Sequence, residues 1–485
     1  MMNKFTHTAN ARTLRTIAGA ALLAGATAPA LAAPASAGRE TPSDTEIAGA
    51  IGTDLMFNQS VDADKIDIDV ETGIATLNGR VRTLAAKRRA IDTAQSIRGV
   101  RSVVDRLTVR QTNRTDRQIL REIREMISKN PATDSYELRY EVDDADVILT
   151  GMVDSRAEKM LAEDLAAQVR GVRSINNDIR VELVGDRLDS EIRNDIVERF
   201  KRDTRVDALP IDVEVKDGVV TLTGATGSAA ERLHAVDLAY VRGVEHVHAD
   251  ELFVTFAITD DKLKSYEEAP NFTNEDVVES VEGALRMDPR VEASDVEVEA
   301  HEGHVTLAGV VPTISAFDAA ERAARYTAGV ERVTNLVAVR VDGWTDDSRL
   351  AKEVRDAIER DSMLDTDDIV VVASDGVVTL TGTVSTDYQK RHATTVVSRI
   401  RGVTDIRNNI DAEREWTWQP DDEISEDIRD ELFWSPYVDA DQVTVLVEEG
   451  IAILSGTVDS YDEIEAAIKN AYEGGAKEVR SRLVH

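Results

Sequence analysis

Paired histidines are the side chains of this chain whose spacing comes nearest to that of a transition-metal site. His246 and His248 lie two residues apart in a predicted strand, so their side chains point to the same face and could share a metal ion. The corresponding places of a later repeat hold Asp405 and Arg407. This face is therefore predicted to be exposed and variable between repeats, which disfavours a metal site.

Three other histidines are predicted to be either poor candidates for a metal site or packed side chains. His301 and His304 lie on either side of a predicted hairpin turn, and a metal site there is disfavoured to the same degree. His234 lies near the inward stripe of its predicted helix, which favours a packed side chain. We therefore predict no metal site and no cofactor.

Carboxylates are abundant, but they do not form a catalytic pattern. Groups of aspartates precede the first strand of several repeats: Asp62 and Asp64; Asp365, Asp367 and Asp368; Asp439 and Asp441. They lack the spacing of an EF-hand, with its central glycine and closing glutamate. No motif combines a nucleophile, a base and an orienting group. We therefore assign no catalytic residues and predict that the chain is not an enzyme.

The first 37 residues have the pattern of a secretory signal peptide. They contain three cations (Lys4, Arg12 and Arg15), no acid, an apolar run at 17–31 and small residues at 35–37. The apolar run is shorter than the ~20 residues needed to span a bilayer. We therefore predict a signal peptide at 1–37 and a periplasmic location, with secretion as an alternative.

The chain is strongly acidic and contains no cysteine. Its formal net charge is −34, and removal of the three signal-peptide cations gives −37 for the mature chain. Such a charge opposes nucleic-acid binding, which depends on neutralising phosphates with lysine and arginine. Without cysteine there is neither a disulfide nor the thiol of a lipoprotein anchor. The mature protein is expected to be soluble, with no nucleic-acid partner.

Internal repetition defines the organisation of the chain. A glycine ends a strand in six places: Gly79, Gly151, Gly224, Gly309, Gly382 and Gly456. A second glycine, mostly as Gly-Val, follows 19 or 20 residues later: Gly99, Gly171, Gly243, Gly329, Gly402 and Gly475. Successive copies are offset by 72 to 74 residues, except for 85 between the third and the fourth. The sequence thus predicts six copies and one additional linker.

Each copy has the periodicity of two helices and three strands. Apolar residues four apart, such as Ile192, Ile196 and Phe200, form a helical stripe. Two alternating strands follow across a turn such as Asp217-Gly218, in which glycine accepts the positive φ of a tight hairpin. An alanine-rich helix then ends at the Gly-Val pair, and valine begins the third strand. The predicted class is α+β: six tandem α-β-β-α-β modules, each with two helices packed on a three-stranded sheet.

This order of elements, the Asp-Gly hairpin, the Thr-Leu-x-Gly strand and the Gly-Val pair resemble the BON (bacterial OsmY and nodulation) domain. The resemblance covers nearly all of the predicted mature chain. It implies a periplasmic or outer-membrane location, association with phospholipid membranes or envelope partners, and a role in osmotic or envelope stress tolerance. The family pattern contains no catalytic residues, so the resemblance assigns none.

We number the predicted modules in chain order. Their bounds are 43–111 for module 1, 115–184 for module 2, 187–256 for module 3, 273–341 for module 4, 345–413 for module 5 and 421–485 for the degenerate module 6, with a linker at 257–272.

Charge is unevenly distributed between the modules. Residues 39–114 hold 12 Lys plus Arg against 11 Asp plus Glu, a net of +1, whereas residues 415–485 hold 5 against 18, a net of −13. The cations of module 1 gather at Arg80, Arg82, Lys87, Arg88 and Arg89, with Arg88 and Arg89 expected to point outward. Such a patch attracts anionic lipid. The rival interpretations are contact with the acidic module 6 of another molecule and a solvated basic helix without a partner.

Aromatic residues form a second candidate cluster where module 5 meets module 6. Trp416, Trp418 and Trp434 lie there, and such residues can anchor a membrane interface or a partner. Packing at the start of a helix is the favoured interpretation, because buried aromatic residues usually belong to cores.

The sequence as a whole favours a noncatalytic exported protein that binds phospholipid or envelope proteins through repeated modules. Two alternatives remain open: a periplasmic chaperone-like protein, which needs exposed apolar grooves, and a self-assembling structural protein.

Overall fold

The computed structural model describes residues 42–57, 60–133, 136–182, 187–206, 211–255, 272–340, 346–364, 368–413, 419–458 and 460–484. The predicted signal peptide (1–37) lies outside these residues, as does all of the predicted linker except Phe272.

Two helices recur in every module within the described residues. The first helices are α1 (Asp44–Phe57), α3 (Asp116–Lys129), α5 (Asp189–Arg202), α7 (Asn274–Met287), α9 (Asp347–Arg360) and α11 (Asp421–Trp434). The second helices are α2 (Leu84–Gln95), α4 (Arg156–Gln168), α6 (Ala229–Ala239), α8 (Ile314–Arg325), α10 (Asp387–Ser398) and α12 (Tyr461–Glu473). Each second helix begins after a serine or threonine whose hydroxyl accepts the N–H of the third helical residue: Thr83, Ser155, Ser228, Thr313, Thr386 and Ser460.

Three strands complete each module. They are β1 (Ile66–Glu71), β2 (Ile74–Val81), β3 (Ser102–Val109), β4 (Glu137–Asp143), β5 (Asp146–Val153), β6 (Ser174–Val181), β7 (Ile211–Lys216), β8 (Val219–Thr226), β9 (His246–Val254), β10 (Val296–His301), β11 (His304–Val311), β12 (Arg332–Val339), β13 (Ile369–Ser374), β14 (Val377–Val384), β15 (Asp405–Ala412), β16 (Val443–Glu448), β17 (Ile451–Thr457) and β18 (Glu478–Val484). The middle strand of each sheet pairs antiparallel with the strand before it and parallel with the strand after it. The predicted fold class and α-β-β-α-β order are confirmed.

Both helices of a module bury an apolar stripe against one face of the sheet. In module 3 the predicted stripe Ile192, Ile196 and Phe200 is buried and packs with Val220 and Leu222 of β8. The removal of these side chains from water is the main stabilising contribution to a module of this size. Among the described residues, the other face of the sheet carries no helix of its own module, and we call it the open face.

A side chain at the start of the first helix holds the hairpin turn in all six modules. In module 3 the Asp189 carboxylate accepts the backbone N–H of Asp217 (2.9 Å) and of Gly218 (3.1 Å). Both turn residues have positive φ, 51° and 75°, as a tight hairpin requires. The equivalent acceptors are Asp44, Asp116, Asn274, Asp347 and Asp421. The local Asp-Gly preference is therefore reinforced by a residue 28 positions earlier.

The six modules belong to one compact unit, Thr41–His485. Backbone contacts pair module 1 with module 6, module 2 with module 5 and module 3 with module 4. Among the helices that the structure describes, none is both long enough and apolar enough to cross a membrane.

Candidate functional site

Three of the five predicted ligand-contacting cations of module 1 are exposed. Arg80 lies in β2 on the open face of the sheet. Arg82 follows β2, and its Nε lies 3.4 Å from the Asp62 carboxylate. The guanidinium of Arg89 lies 5.0 Å from the ring centre of Tyr388 in module 5, within the range of a cation–π contact. These three side chains are accessible from solvent.

The other two predicted cations make contacts within the chain. The Nζ of Lys87 lies 2.7 Å from the Asp105 carboxylate. Arg88 points away from its own core, as predicted, but it does not point to open solvent. Its guanidinium pairs with Glu163 and, at 2.8 Å, with Asp164 of module 2. Lys87 therefore makes an ion pair within module 1, and Arg88 joins module 1 to module 2.

Two further arginines extend the exposed part of the patch. Arg106 and Arg110 are exposed, and Arg106 pairs in register with Asn78, two residues from Arg80 on the same face. The alternation of β3 places Arg106 and Arg110 on the face opposite the buried Leu107. The period-2 pattern of this strand in the sequence was sufficient to predict their position. Four exposed arginines of module 1, Arg80, Arg82, Arg106 and Arg110, thus lie on or next to its open sheet face, whereas the exposed Arg89 lies on α2.

The predicted tryptophan cluster is described only in part. Trp416 and Trp418 lie outside the described residues. Trp434 ends α11 and packs, half-buried, against the core of module 1. Its carbonyl accepts the backbone N–H of Arg98, also in module 1. Trp434 is therefore part of the contact between modules 1 and 6.

A cavity of about 500 Å³ opens where modules 1, 3, 4 and 6 meet. This volume is within the range of small-molecule sites. Tyr326, Trp434 and Tyr437 form the aromatic part of its wall. Six carboxylates also line it: Asp54, Glu231, Glu431, Asp462, Glu465 and Glu473. Except for Trp434, the sequence analysis did not identify these residues as candidates, because they come together only through module packing.

Three of these carboxyl groups meet between modules 1 and 6. Asp54 of α1 hydrogen-bonds with Glu431 of α11, and Glu473 of α12 interacts with both. Burial, with a smaller contribution from the charge of Glu473, raises the pKa of Asp54 to about 6, although the hydrogen bond with Glu431 and the charge of Lys469 oppose the shift. Burial, together with Asp54 and Glu473, raises the pKa of Glu431 to about 10, and Lys469 again opposes the shift. Two carboxyl groups share a hydrogen bond only when one of them is protonated, so this pair holds a proton at neutral pH.

A second network borders the same cavity. Asp203, which follows α5, accepts from His234 Nε2 at 3.0 Å and from Arg205 at 2.6 Å. Burial opposes ionisation of Asp203, but the two partners outweigh it and hold its pKa below the usual range. His392 and Asp361 repeat the pair in module 5, also at 3.0 Å. The position of His234 agrees with the predicted packed side chain.

The other histidines within the described residues do not converge with further ligands. The rings of His246 and His248 are 4.6 Å apart and edge to face, and both are exposed. His304 Nε2 lies 2.8 Å from the Thr334 hydroxyl. Within the part of the chain that the structure describes, no group of three or more His, Asp or Glu side chains is arranged to hold a metal ion.

Comparison with known families matches the whole series of modules. The family model described as "BON domain" matches residues 43–111, 115–182, 188–254, 273–341, 346–414 and 420–484. These six stretches make up most of the chain and coincide with the six sheets and their helices.

One relative is Osmotically-inducible protein Y of Escherichia coli (strain K12). It is 28% identical over 144 residues, which cover 28% of this chain and 72% of that protein. Two structures of CdsD, a structural protein of the type III secretion system of Chlamydia trachomatis, match at 14% identity. The first, of its C-terminal domain, covers 44% of this chain and 98% of that chain with a TM-score of 0.12. The second covers 46% and 92% with a TM-score of 0.13. Scores this low support no conclusion about how the modules are arranged.

Proposed function

Because this chain belongs to the BON domain family, we propose that it is a noncatalytic protein of the bacterial cell envelope that binds phospholipid membranes or envelope proteins. The proposal includes export to the periplasm with cleavage of the predicted signal peptide, and a role in tolerance of osmotic or envelope stress. The stress role is supported by similarity, over 144 residues, to a protein named as osmotically inducible.

The observation that carries the proposal is the exposed cationic surface of module 1: Arg80, Arg82, Arg106 and Arg110. The chain has a net charge of −34, whereas residues 39–114 have a net charge of +1. An anionic membrane repels such a chain unless a local cationic surface faces it. Each Lys or Arg near an anionic lipid surface contributes about 1 kcal/mol of attraction. Module 1 is the module that we propose contacts anionic headgroups.

The charge on this open face is divided between its two edges. Asp67 and Asp69 are exposed on β1, at one edge of the sheet, whereas Arg106 lies on β3 at the other edge. Contact through β3 and the end of β2 brings arginines to the membrane and leaves the acidic strand farther away. This geometry favours the edge formed by β3 as the ligand-facing side.

Reversal of two charges on this edge, Arg80→Glu together with Arg106→Glu, is expected to weaken binding to phosphatidylglycerol vesicles at low salt by at least about thirtyfold. The estimate follows from the loss of two contributions of about 1 kcal/mol each. Co-sedimentation across a series of vesicle concentrations measures the change.

The matched control is Arg480→Glu with Arg482→Glu, two exposed cations of β18 in module 6. It makes the same change in net charge on another module, so its binding is expected to stay within a few fold of the unmodified chain. Equal losses in the two variants are contrary to a specific site on module 1 and point to a net-charge effect alone.

A further inference from the structure

Each of the three backbone pairings joins the first three modules to the last three. We name residues 42–255 the N-terminal half and residues 272–484 the C-terminal half. Between modules 1 and 6, the backbone N–H of Arg98 donates to the carbonyl of Trp434 at 2.9 Å. Among the described residues, no backbone hydrogen bond joins two modules of the same half.

The contact between modules 2 and 5 is a short antiparallel bridge. Val169, at the end of α4, pairs with Asp361, which directly follows α9. The backbone N–H of Arg170 donates to the carbonyl of Arg360 at 2.9 Å, which closes one side of the bridge. The end of the second helix of module 2 thus contacts the end of the first helix of module 5.

Modules 3 and 4 form the same type of bridge, but here the N-terminal half contributes the end of a first helix and the C-terminal half the end of a second helix. Asp203, which follows α5, pairs with Thr327, which lies beyond α8. The backbone N–H of Ala328 donates to the carbonyl of Arg202 at 2.9 Å. The same type of contact therefore occurs three times between the two halves.

Arginine side chains make two of the three contacts difficult to open. Arg98 is 8% exposed, and its Nη2 donates to the carbonyls of Ser435 (2.9 Å) and Val438 (3.3 Å) in module 6. Arg170 donates in the same way to two carbonyls of module 5. A buried guanidinium that has lost its water needs such acceptors. The C-terminal half therefore supplies acceptors that these arginines of the N-terminal half need.

The additional linker lies at the one point where the chain passes between halves. Modules 3 and 4 are offset by 85 residues, whereas all other successive modules are offset by 72 to 74. Among the described residues, modules 3 and 4 are the one successive pair that forms a backbone bridge. The extra length therefore lies between the two halves that pair.

We propose that the two halves are complementary recognition surfaces, and that a second copy of the chain can supply the partner half. In that exchange, the C-terminal half of each chain pairs with the N-terminal half of the other. All three contacts then form twice, and no new interface is needed. Module 1 meets module 6 of another molecule in this arrangement.

Shortening the linker tests the proposal directly. Deletion of residues 258–270 reduces the offset between modules 3 and 4 from 85 to 72, the offset of successive modules that form no bridge. We expect that the halves of one chain can then no longer pair with each other. We expect the variant to form a dimer with twice the mass of the full-length chain, measured by light scattering after gel filtration. A variant that has native circular dichroism and the mass of the full-length chain overturns the proposal.

The matched control replaces residues 258–270 with glycine and serine at unchanged length. It is expected to keep the mass of the full-length chain, because the length of the linker and not its sequence permits pairing. A dimer of this control is contrary to the proposal.

A second experiment does not depend on the folding of the shortened chain. A protease site placed between residues 262 and 263 of the full-length protein allows the linker to be cut after folding. The two halves are expected to elute together at the position of the uncut protein. Separate elution of the halves shows that they are not complementary and rejects the proposal.

Discussion

Gly309→Ala is expected to remove most of the stability of module 4. Gly309 lies in the middle strand of its sheet with φ of 136°, and a Cβ there would lie 2.0 Å from the carbonyl oxygen of Asp295. The backbone strain alone costs about 1–3 kcal/mol, and relief of the clash requires β10 and β11 to separate. A module of this size has a free energy of unfolding of about 3–10 kcal/mol, so the sum of the two effects removes most of it.

Hydrogen exchange with mass spectrometry measures this effect module by module. Peptides from residues 274–339 are expected to lose protection in the Gly309→Ala protein, while peptides of module 2 keep theirs. Gly283→Ala is the matched control in the same module, because the nearest atom to its added Cβ is an arginine terminus 3.9 Å away. Alanine within helix α7 is expected to stabilise the module by about 1 kcal/mol. Unchanged protection in Gly309→Ala would falsify the close approach of Gly309 to the Asp295 carbonyl.

Glu431→Gln is expected to remove a large part of the pH dependence of stability between modules 1 and 6. In the native protein Glu431 hydrogen-bonds with Asp54, and Glu473 and Lys469 of α12 face the pair. The raised pKa of each carboxyl group means that the folded state retains protons that the unfolded chain releases near pH 3.8 (Asp54) and pH 4.5 (Glu431). The contribution of these protons to the free energy of unfolding is therefore fully present below about pH 4. It is lost as pH rises, first through about 6 and then towards about 10.

The free energy of unfolding falls with pH by at most about 1.4 kcal/mol per pH unit for each retained proton. Between about pH 6 and about pH 8, where the folded state retains one proton, the free energy of unfolding of the native protein is expected to fall by up to about 3 kcal/mol. Glutamine keeps the hydrogen bond to Asp54 without a titrating proton, so the variant should be more stable at the higher pH.

Thermal unfolding midpoints across this pH range provide the measurement. The control is Glu426→Gln, an exposed carboxylate on the same helix, which should follow the native pH profile. Parallel profiles for the native protein and Glu431→Gln contradict a shared proton at this contact.

The fold within a module was predictable because its determinants are local. The stripe of Ile192, Ile196 and Phe200 needs only helical periodicity, and the Asp217-Gly218 turn needs only the backbone preference of glycine. Both expectations are confirmed by burial and by φ angles.

The contacts between modules were not predictable from the same patterns. Arg98 and Arg170 bind backbone carbonyls of modules 6 and 5, and every residue has a carbonyl, so no residue type marks the partner. The position of Arg88 shows the same limit. Helical periodicity places it outside its own core, but only the packing of modules decides that it meets Glu163 instead of solvent. The carboxyl cluster at Asp54 likewise combines residues from distant modules.

The candidate surface on module 1 was predicted in part. Its location in that module followed from the charge count, and Arg80 and Arg82 are exposed. Arg106 was not predicted as part of this surface, although alternation along β3 places it on the open face.

Co-sedimentation of unmodified residues 38–485 with phosphatidylglycerol and phosphatidylcholine vesicles, at low and high salt, is the most direct test of the proposed function. We expect the chain to sediment with phosphatidylglycerol at low salt, to be released at high salt because screening weakens exposed charge interactions, and to stay in the supernatant with phosphatidylcholine. A chain that remains in the supernatant with phosphatidylglycerol at low salt contradicts binding of anionic phospholipid.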